Sequence, residues 1–328
     1  MLVDELIEII EEVAPLDLAL GWDQSGVLVA SPLREIKKIA LALDPTFKTL
    51  NKALELGVDF LLTHHPLALK PRFPNKIDGY YHLLQGLLEA KMWLYAAHTS
   101  LDANIKGPAG WLARSLGLTN ISSLQPGKSE QIWRIHFSPP LPLKRAGFLK
   151  ELKGVLASSE DERGVHYLDI YAPARDFVLE QINLWEDFKG LVSLYPLSSR
   201  EKGGLGLIGD LPLPFSPAEF LNRLKDILEI TSLREVGGLP RVVERVAYCP
   251  GSGADLGFSA FKQGADVYIT GDVKYHQAQE LAERGWVLDV GHFILEEKMM
   301  FSFYKYLKQK LDGVEVFFIE GEDPFGFI

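Results

Sequence analysis

The chain has 328 residues, with 34 Lys+Arg against 44 Asp+Glu and a formal charge of −10. Its 47% apolar and 24% charged residues are those of a well-cored globular protein and exclude a disordered one. The single cysteine, Cys249, excludes an intrachain disulfide and a cysteine-only metal site, and the acidic balance argues against nonspecific binding to nucleic acid or anionic membranes.

Met1 to Val13 places Leu2, Leu6, Ile9, Ile10 and Val13 at helical spacing and carries five acids. It reads as an amphipathic helix ended by Pro15 and not as a signal peptide. No apolar run approaches the roughly 18–20 residues of a membrane helix, so the expected location is cytoplasmic.

Strand and helix patterns then alternate. Ile36 to Leu43 is an apolar run entering Asp44-Pro45, and Thr46 to Leu56 is a helix closed by Gly57. Val58 to Thr63 is a strand entering His64-His65-Pro66. Tyr80 to Ala90 is helical, Met92 to Ala97 is a strand entering His98, and Pro108 to Leu116 is a helix. This order predicts a mainly parallel sheet with helices on its faces, and sites in such sheets form beyond the carboxyl ends of strands. Two loop-like stretches follow, around Gln125-Pro126-Gly127 and Ser198 to Gly204, and they divide the chain into pieces 1–126, 127–200 and 201–328. The middle piece holds 10 basic and 10 acidic residues, so all the net charge lies in the outer two.

The middle piece reads as strand (Ile132 to Phe137), helix (Lys144 to Leu156), strand (Tyr167 to Tyr171), helix (Phe177 to Trp185) and strand (Leu191 to Tyr195), a small inserted α+β domain. The last piece repeats the first scheme. Val243 to Tyr248, Asp266 to Thr270 and Trp286 to Val290 are strands entering Cys249, Gly271-Asp272 and Gly291-His292. Phe293 to Leu311 is a long helix, and Val314 to Ile319 a final strand. Leu56 to Thr63 and Gln263 to Thr270 share one pattern, and His98–Asp102 and His292–Glu296 share one spacing. Both would follow from a degenerate duplication, or from the general likeness of parallel-sheet strands. The expected fold class is therefore α/β, with two related lobes and an insert.

The chemistry lies in the histidines. Neighbouring side chains of an extended segment point apart, so His64 and His65 do not converge naturally on one small ion, though each could ligate a different one. Asp102 can enter the same space. His292 and Glu296, four apart, face one way if they begin a helix. Three imidazoles and two carboxylates suit divalent Zn, Mn, Fe or Co, and one carboxylate shared between two ions would build a two-metal site. The plainer alternative is a set of loop histidines and helix-capping acids. His98 could be a general base or could orient a ligand. His276, beside Lys274 and Tyr275, could contact a phosphate or purine, or simply start a solvated helix. Cys249 reads as a small core residue.

Several stretches resemble the GTP cyclohydrolase 1 type 2 homologues, the Ngg-interacting-factor-like family. They are Gly21-Trp22-Asp23-Gln24-Ser25-Gly26, Thr63-His64-His65-Pro66-Leu67, Ala97-His98-Thr99-Ser100-Leu101-Asp102, Gly204 to Gly209, and Ala265 to His276 followed by Asp289-Val290-Gly291-His292. The resemblance implies two α/β lobes holding a dinuclear metal site, with His64, His65, Asp102, His292 and Glu296 as ligands and Glu296 bridging. It also implies a ring-shaped homohexamer and an insert similar to the PII/CutA type. The implied activity is hydrolytic opening of a purine nucleotide ring by metal-activated water, with His98 as the candidate proton carrier and a small molecule, a nucleotide, as substrate. Two rivals use the same residues: a metal-dependent phosphoesterase, and a non-catalytic metal- or nucleotide-binding ring acting through partners.

Overall fold

A computed structural model describes residues 1–152, 154–184 and 190–326. The chain forms two compact units, Met1–Gly127 with Gly203–Ile328, and Lys128–Lys202.

The first unit contains a five-stranded sheet in the order Gly26–Val29, Trp93–Ala96, Phe60–Thr63, Lys38–Ala42, Glu315–Phe318. Gly26–Val29 pairs antiparallel and the rest pair parallel. The three central strands are apolar because both of their faces are covered. The helix Phe47–Leu56 begins where Thr46 Oγ1 accepts a hydrogen bond from Thr49 N at 3.1 Å. It stops at Gly57, whose φ of 67° ends it in the left-handed conformation.

The other half of this unit holds three parallel strands, Val243–Tyr248, Val267–Thr270 and Trp286–Asp289. They are flanked by antiparallel neighbours, Leu191–Phe215 on one side and Arg234–Val236 on the other. Its sheet is thus mixed rather than mainly parallel. The two halves share a local device. Asp59 Oδ2 accepts from the backbone N–H groups of Lys37 and Lys38, and Asp266 Oδ2 accepts from those of Glu244 and Arg245. Each aspartate leads one strand and fixes the start of its neighbour.

One buried cluster joins the halves. It includes Leu6 and Ile10 of the helix Val3–Val13, Phe60, Leu62, Ile269, Leu288, and Met299 and Phe303 of the helix His292–Lys310. Tyr248 is polar glue within it. Its hydroxyl donates to Ala109 O at 2.7 Å and accepts from Ala113 N at 3.3 Å. Tyr248→Phe strands both backbone groups in an apolar site, so a loss of about 1–3 kcal/mol is expected in chemical denaturation. An unchanged midpoint would show that water replaces the hydroxyl.

The second unit has the strand order Val155–Asp161, Gly164–Tyr171, Thr119–Leu141, all antiparallel. Ile135, Phe137, Leu149, Leu168, Ile170 and Val178 form its core. On its strand face, Arg134 makes two bonds to Asp169 at 2.7 and 2.8 Å and lies over the Tyr167 ring.

Three sequence readings need correction. The stretches read as loops, 118–127 and 198–204, lie almost wholly in strands, Thr119–Leu141 and Leu191–Phe215. The helix expected to reach Leu156 ends at Lys150, and Val155 starts a strand whose pairing with Gly164–Tyr171 overrides local propensity. The helix Ala172–Asn183 starts before Phe177, with Trp185 outside the described residues. Among the described residues, no helix is long and apolar enough to cross a membrane.

Candidate metal centre

Parallel pairing brings the histidines together. Thr63 and Ala96 are register partners at the ends of adjacent strands. The chain continues from the first into His64-His65 and from the second into Ala97-His98. His98 then opens the short helix Thr99–Asp102. On the opposite half, Asp289 ends its strand and Gly291, at φ 86°, turns the chain into the helix His292–Lys310. His292 and Glu296 sit one turn apart and share a face.

Glu296 is at the centre and is buried. Its Oε1 lies 3.6 Å from His64 Nε2, and its Oε2 lies 3.1 Å from His65 Nε2 and 2.9 Å from His292 Nε2. Asp102 Oδ1 lies 3.8 Å from His64 Nε2, and the Nε2 atoms of His65 and His292 are 3.4 Å apart. The potential ligand atoms of His65, His292 and Glu296 lie within 4.8 Å of one another, as do those of His64, His65 and His98. All five residues expected as ligands therefore meet in one place. His98 meets them too, with its ring centroid 5.1 Å from that of His64 and 5.6 Å from that of His65.

The other ring nitrogens are all tied back. His64 Nδ1 donates to Ala97 O at 2.9 Å, His65 Nδ1 to Asp44 at 2.7 Å, His98 Nδ1 to Asp23 at 2.6 Å, and His292 Nδ1 to Asp272 at 2.7 Å. Carbonyl and carboxylate oxygens can only accept, so each Nδ1 carries the proton, and the Nε2 atoms of His64, His65 and His292 face Glu296. The sequence reading did not assign Asp23, Asp44 or Asp272 this role. Asp23 is the most heavily bonded, accepting also from Thr99 N, Thr99 Oγ1 and Ser25 Oγ. Burial raises its pKa, but the bonds from His98, Thr99 and Ser25 outweigh that and hold it well below the usual carboxylate range.

The donor set fits divalent metal ions. His64 Nε2, Asp102 Oδ1 and Glu296 Oε2 are buried polar atoms without a hydrogen-bond partner among the described residues, which is costly unless something else satisfies them. Ligand atoms about 2.1 Å from a tetrahedral ion lie roughly 3.4 Å from one another, close to the 2.9–3.8 Å separations here. The electrostatics agree. Burial pulls the His64 imidazole down, but Asp102 and Glu296 outweigh it and hold it above its ordinary value. Burial also opposes His65, yet Asp44 and Glu296 lift it to about 10. Contact with Glu296, against burial and aided by Asp272, lifts His292 to about 9. Burial raises Asp102, whereas the surrounding imidazoles hold Glu296 low despite its burial. The pocket demands positive charge, which protons or metal ions can supply.

Other candidates fall away from this centre. His276 is exposed, and its Nδ1 is 3.3 Å from Gln279 Oε1 on its own helix. Cys249 is buried, and burial pushes its thiol pKa up, so it stays protonated and is no nucleophile.

The sequence pattern of the Duf34/NIF3 (NGG1p interacting factor 3) family matches residues 1–324. This chain belongs to that family. A Halalkalibacterium halodurans member called GTP cyclohydrolase 1 type 2 homolog is 29% identical over 364 residues, covering 98% of each chain. A Clostridium perfringens member of the same name is 28% identical over 334 residues, covering all of both. Among solved structures, a Bacillus cereus protein related to NIF3 superposes with a TM-score of 0.85 at 26% identity, covering 100% of this chain and 99% of that one. Reduced HcgD from Methanocaldococcus jannaschii superposes with a TM-score of 0.66 at 26% identity, covering 97% of each. The family fold is therefore a mixed α/β one.

Proposed function

We propose that this family member is a dinuclear metal-dependent hydrolase. His64, Asp102 and Glu296 Oε1 would hold one divalent ion, of Zn, Fe, Mn or Co type, and His65, His292 and Glu296 Oε2 the other. The observation that carries the reading is the division of Glu296, whose two buried oxygens face different imidazoles. Such ions supply Lewis acidity, stabilising developing negative charge and bringing the ionisation of bound water toward neutrality.

The chain's own residues would do the rest. Asp44 and Asp272 fix the rings of His65 and His292, and Asp23 fixes that of His98. His98 keeps its proton on Nδ1 and presents Nε2, placing a base beside the cluster for proton transfer. The relatives' name points to GTP, and on this reading its purine ring is opened at a ring carbon with loss of formate. The same reading has the 128–202 unit as a PII/CutA-like insert and the protein as a cytoplasmic ring hexamer.

Formate release from GTP by metal-loaded protein is the test. Release is expected from the parent protein and not from His64→Ala or Glu296→Ala. Release no greater than in those variants would remove the GTP assignment, and screening of phosphodiester substrates would then test the phosphoesterase alternative.

A further inference from the structure

A cavity of about 570 Å³ opens beside the cluster, with His65 and His292 in its wall. Its size suits a small organic molecule and exceeds the need of a bare ion. Leu43, Leu233, Val290, Phe293 and Phe325 give it apolar surface. Phe325 is 74% exposed, a large ring left for a ligand to cover.

Apart from Asp323, which accepts from Phe325 N, the charged side chains around this cavity are paired. Arg234 is the only Lys or Arg among the described lining residues. Its Nη2 donates to Asp289, which is buried and also accepts from Val273 N and Gly291 N. Two further lining carboxylates, Asp44 and Asp272, are held on the Nδ1 atoms of His65 and His292. Away from the cluster wall, a polyphosphate would meet carboxylates and no unpaired side-chain cation among the described lining residues. An uncharged ring would meet aromatic and aliphatic walls. Among the described residues the Arg234 guanidinium makes one hydrogen bond, so its remaining N–H groups can meet a ring carbonyl or ring nitrogen.

We infer that this cavity binds the substrate through a flat, uncharged heteroaromatic group, with Arg234 and Phe325 setting specificity. The assignment rests on the cluster being the reaction centre, which the test treats separately.

Calorimetric binding of guanosine, adenosine and uridine to metal-loaded protein provides that test. At least one nucleoside is expected to bind, with an affinity little changed by salt because no charge is neutralised. Phe325→Ala and Leu233→Trp should each weaken it by about tenfold or more, the first by removing a ring face and the second by filling the space. Both variants should keep the parent's ion content. Phe325 is exposed enough that its loss does not threaten folding. The assignment is overturned if no nucleoside binds, if binding ignores both substitutions, or if it falls steeply with salt. Ion content and formate release are measured on the same samples. Nucleoside binding without ions or turnover would remove the reaction centre and leave the cavity assigned. Turnover with both cavity variants at parental affinity would remove only the cavity.

Discussion

Glu296→Ala is expected to abolish metal retention. The carboxylate lies within 2.9–3.6 Å of three imidazole Nε2 atoms and carries the negative charge shared by both halves of the cluster. Loss of a group that only orients a ligand costs 10–100-fold in metal affinity, so loss of the shared ligand should cost more than about 100-fold. Ion content after gel filtration should fall to background. Added zinc should no longer raise the melting temperature, whereas an ion at 100 times its Kd would stabilise the parent by about 2.7 kcal/mol. Parental ion content in Glu296→Ala would sink the shared-ligand assignment.

Gly251→Ala should damage the same centre from the backbone. Gly251 has φ 62°, and a Cβ there would stand 2.1 Å from Glu296 Oε1 and 3.4 Å from His292 Cε1. Two costs follow. The left-handed conformation costs a non-glycine residue about 1–2 kcal/mol, and the carboxylate must leave its place among the imidazoles. Gly313→Ala separates them. Gly313 has φ 71°, and its Cβ would meet nothing within 4 Å. Both variants should unfold earlier, but only Gly251→Ala should lose metal affinity, by about tenfold or more. Equal metal affinity in the two would show that Glu296 adjusts to the extra methyl group.

The parts of this centre that could be read from sequence are those tied to strand ends. Apolar runs such as Phe60–Thr63 and Trp93–Ala96 announce buried parallel strands, and His64, His65 and His98 follow them directly. The His292–Glu296 spacing likewise follows from helical geometry. The orienting acids carry no such signal. Asp44 before Pro45, and Asp272 after Gly271, look like ordinary turn residues, and only tertiary structure sets them against imidazoles. The strand Leu191–Phe215 is legible only over Leu191 to Tyr195, and its continuation is hidden for a similar reason. Gly203, at φ 67°, interrupts its side-chain alternation because a Cβ there would lie 2.6 Å from Ala103 O. The close backbone approach that needs glycine is the feature that makes the segment look like a loop.

The strand Glu315–Phe318 has a consequence for biosynthesis. It pairs in parallel with Lys38–Ala42, Glu315 opposite Lys38, and it follows the helix that carries His292 and Glu296. A nascent chain on the ribosome can make the strands bearing His64, His65 and His98 early, but their sheet keeps an open edge until residue 318 has emerged. Until then Lys38–Ala42 exposes a row of unpaired backbone groups to other chains. Contacts of such long sequence separation also form slowly. Assembly of the full donor set therefore waits for the helix His292–Lys310, and a product truncated before His292 would display three of the five proposed ligands with no shared carboxylate to gather them.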